Sequence, residues 1–178
     1  QNTTSLCPTT TFDGAPIYLD GQTPSADEIV QRQRDYHQPY HDALHEQLDR
    51  VQQKHGYVIL YDCHSIRSVV PYLFDGQLPD FNIGTNNGNT CDAVIEQAVE
   101  HHCKAAVGYR SVLNGRFKGG WTTRHYGQPQ QGYHAIQMEL AQCNYMQEQA
   151  PWEYDLTSAH KLRAILAGLL TELNTTLA

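Results

Sequence analysis

Several features that would place a chain in a common class are missing from this sequence. It has no apolar run near the ~20 residues that a membrane-spanning helix requires, no internal repeat and no low-complexity tract. Its first residues contain neither a basic nor an apolar segment of the kind found in signal peptides. The net charge of −7 disfavours nucleic-acid binding as a bulk property. We therefore predict one globular domain over residues 1–178, located in the cytoplasm, with neither nucleic acid nor membrane as a partner.

The cysteines do not indicate a disulfide framework. They are five in number, form no C-x-x-C pair, and stand at positions 7, 63, 91, 103 and 143. An odd, widely spaced set of this kind is typical of reduced thiols in a cytoplasmic protein. The metal-binding patterns His-x-x-Glu and His-Glu-x-x-His and the phosphate-binding Walker spacing are also absent.

Acidic residues are missing from the whole interval between Glu100 and Glu139. The segment 114–120 within it is punctuated by glycines, and its backbone amides and cations could surround a carboxylate. An acidic protein with one such stretch is arranged to hold a small anion, although an ordinary solvated basic face would have the same pattern. The Lys and Arg residues of the interval are Lys104, Arg110, Arg116, Lys118 and Arg124.

Residues 57–61 form a short, unbroken run of β-branched and aromatic side chains. Such a run is typical of a strand buried on both faces of a parallel sheet, and the polar residues 62–65 follow it at once. Because ligands bind beyond the carboxyl ends of parallel strands, Asp62 and His64 are candidates for a site. A carboxylate two residues before a histidine suits a metal ligand with its orienting partner. Alternatively, Asp62 caps a turn and His64 is a half-exposed loop residue.

The rest of the chain alternates between predicted helices and strands. A helix starts at the N-cap Ser25, ends at the C-cap Gly56, and is kinked or divided at Pro39. Its histidines at 37, 41 and 45 extend over about two turns, too far apart for one ion, and should form a partly solvated face. Further helices are expected over about 91–102, capped by Thr90, and after Thr157 or Ser158, and strands over 81–84, 105–109, 121–126 and 132–141.

The strand predicted over 132–141 carries one carboxylate in apolar surroundings. Alternation places Ile136 and Met138 on one face and Gln137 and Glu139 on the other. A carboxylate in such a strand loses hydration, which raises its pKa and makes it a usable proton acceptor near neutral pH. The alternative is a structural ion pair between Glu139 and one of the arginines of the acid-free interval.

Several segments, in order over almost the whole chain, carry a family resemblance. They are residues 1–4, 6–14, 62–67, 73–76, 78–86, 114–120, 123–127 and 134–141. In these segments the chain resembles the N-formylglutamate amidohydrolase (deformylase) family. The resemblance implies a three-layer α/β/α fold with a mixed, mostly parallel sheet, similar to zinc carboxypeptidases. It also implies a zinc-dependent amidohydrolase that cleaves N-formyl-L-glutamate to formate and L-glutamate in histidine degradation.

The resemblance implies roles for single residues as well. His64 matches a zinc-binding histidine of the family, and Glu139 matches its general base. Arg67 is a candidate for contact with substrate or with the developing oxyanion. The substrate is a small dianion, and bidentate arginines suit carboxylates. The residues expected to bind it are Arg116, Lys118, Arg124 and Asn86.

One family element has no counterpart in this chain. In the family, a preceding segment carries a Pro-His-x-Gly element and an acidic partner, which supply the first two zinc ligands. A catalytic zinc normally has three protein ligands, so His64 alone would not hold the ion. Two alternatives therefore stay open. One is a truncated, inactive product that self-associates through surface exposed by the missing segment, and the other is a hydrolase of a related acidic acyl-amino acid.

Overall fold

Four strands of the described chain form a mixed sheet in the computed structural model, which describes residues 5–177. They are β1 (Val58–Ile66), β2 (Phe81–Gly84), β3 (Ser111–Leu113) and β4 (Tyr133–Ala141), in the spatial order β1-β4-β2-β3. β1 pairs with β4 and β2 with β3 in parallel, whereas β2 and β4 are antiparallel. The prediction of a mixed, mostly parallel sheet is confirmed. Residues 1–4, which carry part of the family resemblance, lie outside the described residues.

The α-helices of residues 5–177 are α1 (Ala26–Arg32), α2 (Gln38–His55), α3 (Ala93–Ala105), α4 (Trp121–Tyr126) and α5 (Leu156–Thr176). A π-helical segment, Gln33–His37, joins α1 to α2, and Pro39 lies in the first turn of α2, so the predicted division is confirmed. Ser25 Oγ accepts a hydrogen bond from Glu28 N at 3.2 Å, and Gly56 ends α2 at φ 82°, as predicted. No helix within residues 5–177 is both long and apolar enough to cross a bilayer.

The helices cover both faces of the sheet, which gives the three-layer α/β/α architecture. α3 and α5 pack on one face over the largest apolar cluster, which includes Phe81, Ile136 and Leu169. α2 and α4 lie on the other face, where Leu48 and Tyr126 are buried together. Removing apolar surface from water is the main favourable contribution to folding, so these two clusters hold the layers together.

Strand alternation decides which polar residues share a face. In β1, Tyr61 packs against the α3/α5 cluster and Leu60 against the α2/α4 cluster. His64 is an even number of residues from Leu60, so it points to the α2/α4 side. In β4, Met138 belongs to the α3/α5 cluster, so Glu139 also points to the α2/α4 side.

Two predicted strands are wrong. Residues 105–109 contain the end of α3 and an exposed turn, with Val107 95% exposed and Gly108 at φ 86°, and the strand starts at Ser111. The positive φ at Gly108 breaks the extended backbone. Residues 121–126 form α4, because Thr123 and Tyr126, which are one helical turn apart, are the positions that become buried.

β1 differs from its prediction in length and in burial. It continues to Ile66, so Asp62 and His64 lie within the strand rather than in a loop after it. Polar residues can extend the strand because the ladder of hydrogen bonds uses backbone groups. Within residues 5–177, β1 is also an edge strand with β4 as its neighbour, and Val58 and Ile66 are its buried residues. Helices cover both faces of the predicted run 57–61, as expected, whereas the polar residues 63–65 of the strand are exposed.

The predicted caps of two later helices are also wrong. α3 begins after Asp92 rather than Thr90, whose Oγ1 bonds to a carbonyl of β4 instead. α5 begins after Asp155, whose carboxylate accepts hydrogen bonds from Thr157 N at 2.9 Å and Ser158 N at 3.2 Å. A carboxylate can accept from two backbone amides at once, which makes it the better cap here.

The histidines of α2 and its preceding segment are partly solvated, as predicted. His45 is exposed, whereas His37 and His41 are half-buried. His41 Nδ1 lies 2.8 Å from Tyr126 OH, and the centre of its ring lies 4.8 Å from that of Trp121. These side chains pack α2 onto α4.

His134, buried at the start of β4, makes the stability of the fold depend on pH. Its Nδ1 accepts a hydrogen bond from Asp92 N at 3.2 Å, and burial lowers its pKa while the Asp92 charge opposes the shift. The unfolded chain therefore takes up the proton first, so stability falls as the pH falls below the ordinary histidine pKa of ~6.5.

We expect His134→Gln to lose less stability than the unmodified chain when the pH is lowered from about 7.5 to about 5. The difference in the free energy of unfolding is at most ~1.4 kcal/mol per pH unit, the value for one proton. Urea unfolding at both pH values measures the difference. His160→Gln, at an exposed position of α5, is the control. An equal loss in the His134 variant and the unmodified chain would contradict this role.

Candidate active site

His64 and Glu139 lie side by side near the carboxyl ends of neighbouring strands. They are partners in the parallel register of β1 and β4, and adjacent strands are ~4.8 Å apart. Both point to the α2/α4 side of the sheet. Glu139 is buried, at 7% exposure, while the His64 side chain is 47% exposed. The structure thus brings together two residues that lie far apart in the chain.

Asp62 and α4 orient the His64 ring. His64 Nε2 lies 3.0 Å from Asp62 Oδ1, and Asp62 Oδ2 accepts a hydrogen bond from Thr123 Oγ1 at 3.3 Å. The bond to Asp62 raises the pKa of His64, burial opposes this shift, and the nearby Glu139 adds to it. His64 Nδ1 has no hydrogen-bond partner within residues 5–177, so this nitrogen is open to a ligand.

Burial raises the pKa of Glu139. The charge of His64 opposes this shift, Asp62 adds to it, and a hydrogen bond from Gln137 Nε2 to Glu139 Oε2, at 3.3 Å, also opposes it. In the described part of the chain, no Lys or Arg lies within ion-pair distance of the Glu139 carboxylate. The ion pair considered as the alternative is therefore not formed there, and the environment suits a proton acceptor near neutral pH.

A cavity of about 850 Å³ opens over Glu139 and His64. None of its three cations forms an ion pair with a carboxylate of residues 5–177. Apart from Glu139 the cavity is therefore positively charged, which suits a small anion. Its lining includes the cations Arg116, Lys118 and Arg124 and the aromatic residues Phe12, Phe117 and Trp121.

Main-chain carbonyls orient the two arginines of the cavity. Arg116 Nε donates to Leu73 O at 2.9 Å, and its guanidinium carbon lies 5.6 Å from the centre of the Phe117 ring. Arg124 Nη1 donates to Gly119 O. Because a guanidinium has five N–H donors, these contacts leave most of them available for a carboxylate.

The cationic loop, residues 114–120, is fixed against β2. Asn114 N donates to Ile83 O at 2.7 Å, and Asn86 N donates to Lys118 O at 2.6 Å. Asn114 Oδ1 accepts a hydrogen bond from Thr85 N at 2.9 Å. The backbone that carries the cations is therefore held in place although the loop contains three glycines.

Gly84 in β2 allows this loop to approach the sheet. A Cβ atom at Gly84 would lie 2.5 Å from Gly119 N and 2.8 Å from Lys118 C. Both are backbone atoms, which cannot move aside as the end of a flexible side chain can. A residue without a side chain is required here.

Arg67 and Asn86 do not line the cavity. Arg67 Nη2 donates to both carboxylate oxygens of Asp13, at 2.7 and 2.9 Å. Asn86 adopts a positive φ of 50° and contacts the cationic loop through its backbone. The structure therefore gathers His64, Glu139 and the three cations and leaves these two predicted site residues outside.

Three groups of the site are missed by sequence reasoning: the Gln137 amide, the Thr123 hydroxyl and the Gly120 N–H. Gln137 lies two residues before Glu139 in β4, so strand alternation predicts that the two side chains share a face. Thr123 falls in a segment wrongly predicted as a strand, and its contact with Asp62 depends on α4. Nothing in the sequence indicates the Gly120 contact, because it joins two distant segments.

The described residues do not form a complete metal site. No group of three or more His, Cys, Asp or Glu side chains within residues 5–177 is arranged to hold an ion. His64 and Asp62 have the arrangement of a histidine ligand and its orienting carboxylate. The pair fits one ligand of a zinc ion and does not by itself form a coordination shell.

Comparison with known proteins assigns the chain to a family. The model of the N-formylglutamate amidohydrolase family matches residues 1–146. The chain is also 53% identical, over 171 residues, to the N-formylglutamate deformylase of Pseudomonas aeruginosa. The chain belongs to the N-formylglutamate amidohydrolase family. The resemblance inferred from the sequence is confirmed.

The relatives in this family are longer than the chain. The N-formylglutamate deformylase of Pseudomonas putida is 47% identical over 171 residues, and both Pseudomonas alignments cover 96% of the chain but 64% of the relative. The crystal structure of N-formylglutamate amidohydrolase from Ralstonia eutropha JMP134 has a TM-score of 0.77 and 26% identity, over 91% of the chain and 59% of that protein. The chain thus spans less than two thirds of these proteins and shares their fold.

Gly84→Ala tests whether the close approach of the cationic loop to β2 holds its cations in place. The new methyl group must displace the loop backbone, which we expect to cost ~1–3 kcal/mol of stability and to weaken binding of a small dicarboxylate, for which L-glutamate is the probe. Thermal unfolding and titration calorimetry with L-glutamate measure the two effects. Gly168→Ala on α5 is the matched control, since its new Cβ meets the side chain of His102, away from the cavity. Unchanged glutamate affinity in Gly84→Ala would argue against this role of the loop.

Proposed function

We propose that the chain carries the substrate-binding surface and the general base of an amidohydrolase that cleaves N-formyl-L-glutamate to formate and L-glutamate. The reaction would serve histidine degradation in the cytoplasm, where free cysteines such as the five of this chain stay reduced. The observation that carries the proposal is a buried Glu139 beside His64, beneath a cavity lined by three cations. Both Pseudomonas relatives bear the name N-formylglutamate deformylase.

The cations match the charge of this substrate, which has two carboxylates at neutral pH. Arg116, Lys118 and Arg124 have no acidic partner within residues 5–177. A guanidinium binds a carboxylate through two parallel hydrogen bonds, which favours the arginines as its main contacts. Phe117 and Trp121 also line the cavity and reduce its hydration, which strengthens electrostatic attraction.

Glu139 acts as the general base in this proposal. A water molecule attacks the formyl carbon, and the Glu139 carboxylate takes a proton from it, a task that its raised pKa suits. The C–N bond then breaks, and the protonated carboxyl returns the proton to the amine nitrogen of the departing glutamate. Glu139 is therefore ionised again at the end of the cycle. The hydrogen bond from Gln137 stabilises that ionised form.

His64 is assigned as one ligand of a zinc ion, with Asp62 orienting its ring. When bound, zinc supplies a Lewis acid for the formyl oxygen and lowers the pKa of water. Since a catalytic zinc normally takes three protein ligands, we place the others in polypeptide that the longer relatives contain and residues 5–177 do not.

A second candidate is a zinc-free, inactive product that self-associates. Two observations favour it. Residues 5–177 contain no group of three His, Cys, Asp or Glu side chains arranged to hold a metal ion. β1 also leaves one edge of the described sheet unpaired, and an unpaired edge can pair with another chain. Metal analysis and the solution mass of the purified 178-residue chain distinguish the candidates. If the chain is part of the enzyme as proposed, we expect it to bind zinc once the polypeptide that carries the other ligands is supplied. A metal-free oligomer that this polypeptide leaves unchanged would support the second candidate.

A related acidic acyl-amino acid is a further candidate substrate, because the cations recognise carboxylates and not the formyl group. Hydrolysis of N-acetyl-L-glutamate at a rate equal to that of N-formyl-L-glutamate would favour it.

Glu139→Gln tests the general base. An amide cannot accept the proton, so we expect formate release from N-formyl-L-glutamate by the zinc-bound protein to fall by ~10²–10⁴. Binding of L-glutamate, measured by calorimetry, should change little because the cations are untouched. Glu153→Gln, at an exposed glutamate, is the control. Near-normal turnover in Glu139→Gln would exclude this residue as the base.

A further inference from the structure

We propose that Gln137 is a positioning residue that ties the cationic loop 114–120 to the carboxylate of Glu139. The inference rests on the proposed function, because it takes Glu139 as the general base. Gln137 is an uncharged residue in the middle of β4, and its exposure is 5%. A buried polar side chain at such a place requires partners, and both of its ends have one.

The two ends of the Gln137 amide bind different parts of the site. Its Oε1 accepts a hydrogen bond from Gly120 N at 2.6 Å, and its Nε2 donates to Glu139 Oε2 at 3.3 Å. Reversing the amide would set its oxygen against a carboxylate and its NH₂ group against an N–H donor. One orientation therefore satisfies both partners, and it fixes the direction in which the Glu139 carboxylate is held.

Gly120 connects this amide to the anion-binding part of the cavity. It is the last residue of the cationic loop and the N-cap of α4, and its O accepts a hydrogen bond from Arg124 N at 3.1 Å. The Arg124 side chain donates to Gly119 O in the same loop. A Cβ atom at Gly120 would lie 3.2 Å from Gln137 Oε1, so the loop and the amide are in close contact. The positions of Arg124 and of Glu139 therefore both depend on Gln137.

The chemistry of an amide explains why glutamine stands here. A glutamate at position 137 would still accept from Gly120 N, but its charge repels the Glu139 carboxylate. The pair then either lacks the donor or shares a proton that occupies the base, and in both cases the base is disturbed. A methionine would fill a similar volume and form neither bond. The two substitutions thus separate anchoring of the loop from positioning of the base.

Gln137→Met and Gln137→Glu test the inference, with Gln97→Met, at an exposed position of α3, as the control. In Gln137→Met the Gly120 amide should exchange with solvent about tenfold faster, as for the loss of one hydrogen bond. In Gln137→Glu the Gly120 amide should stay protected, while kcat for N-formyl-L-glutamate falls about 10- to 100-fold, the usual effect of losing an orienting partner. A merely structural role would not produce this separation of amide exchange from kcat.

Amide exchange measured by NMR does not depend on turnover, so it tests the loop contact even in a chain without activity. Unchanged Gly120 exchange in Gln137→Met, or unchanged kcat in Gln137→Glu, would overturn the inference. If Gln137→Met does not fold, the nearly isosteric Gln137→Glu decides. Glu139→Gln keeps the two proposals apart. Full turnover in Glu139→Gln would contradict the role of Glu139 as general base. Loss of turnover in Glu139→Gln together with a normal kcat in Gln137→Glu would contradict the positioning role of Gln137 alone.

Discussion

The parallel pairing of β1 with β4 is the constraint on which the rest of the site depends. It sets His64 opposite Glu139 and directs both to the α2/α4 side of the sheet. Because side chains alternate along a strand, a shift of one residue in either strand would turn one of the two into the α3/α5 core. Apolar burial secures the register, since Ile136 and Met138 are 0% and 1% exposed and could reach the other face only by losing that burial. The packing of β4 thus determines where its carboxylate stands.

Arg67 and Arg110 differ from the arginines of the cavity in their neighbours. Arg67 and Arg110 face the carboxylates of Asp13 and Asp80. The arginines of the cavity are oriented by backbone carbonyls instead. A guanidinium held by a carbonyl keeps its charge available to a ligand, whereas one beside a carboxylate is largely compensated. The cavity thus gathers three cations that form no ion pair with an acid of residues 5–177.

Elements with local signals were predictable from the sequence. Ser25 bonds to a backbone amide within the same turn, Gly56 ends α2 through its own φ, and the alternation of β4 follows from its side chains alone. The prediction for residues 121–126 failed for the opposite reason. α4 is short, and its helical form depends on Thr123 meeting Asp62 and on Tyr126 meeting the histidines of α2. Contacts of this kind arise from tertiary packing, which overrides weak local propensity.

The sequence by itself determined the chemical groups of this protein: a carboxylate in an apolar strand, a histidine two residues after an aspartate, a stretch of cations without acids, and the family. The tertiary structure alone decided which of them meet. It placed the cations over Glu139, left Arg67 and Asn86 outside the cavity, and brought in Gln137 and the Gly120 amide. The physical reason is that the periodicity of a helix or strand reports which residues share a face, whereas partners on different elements are set by strand register and by contacts between distant segments.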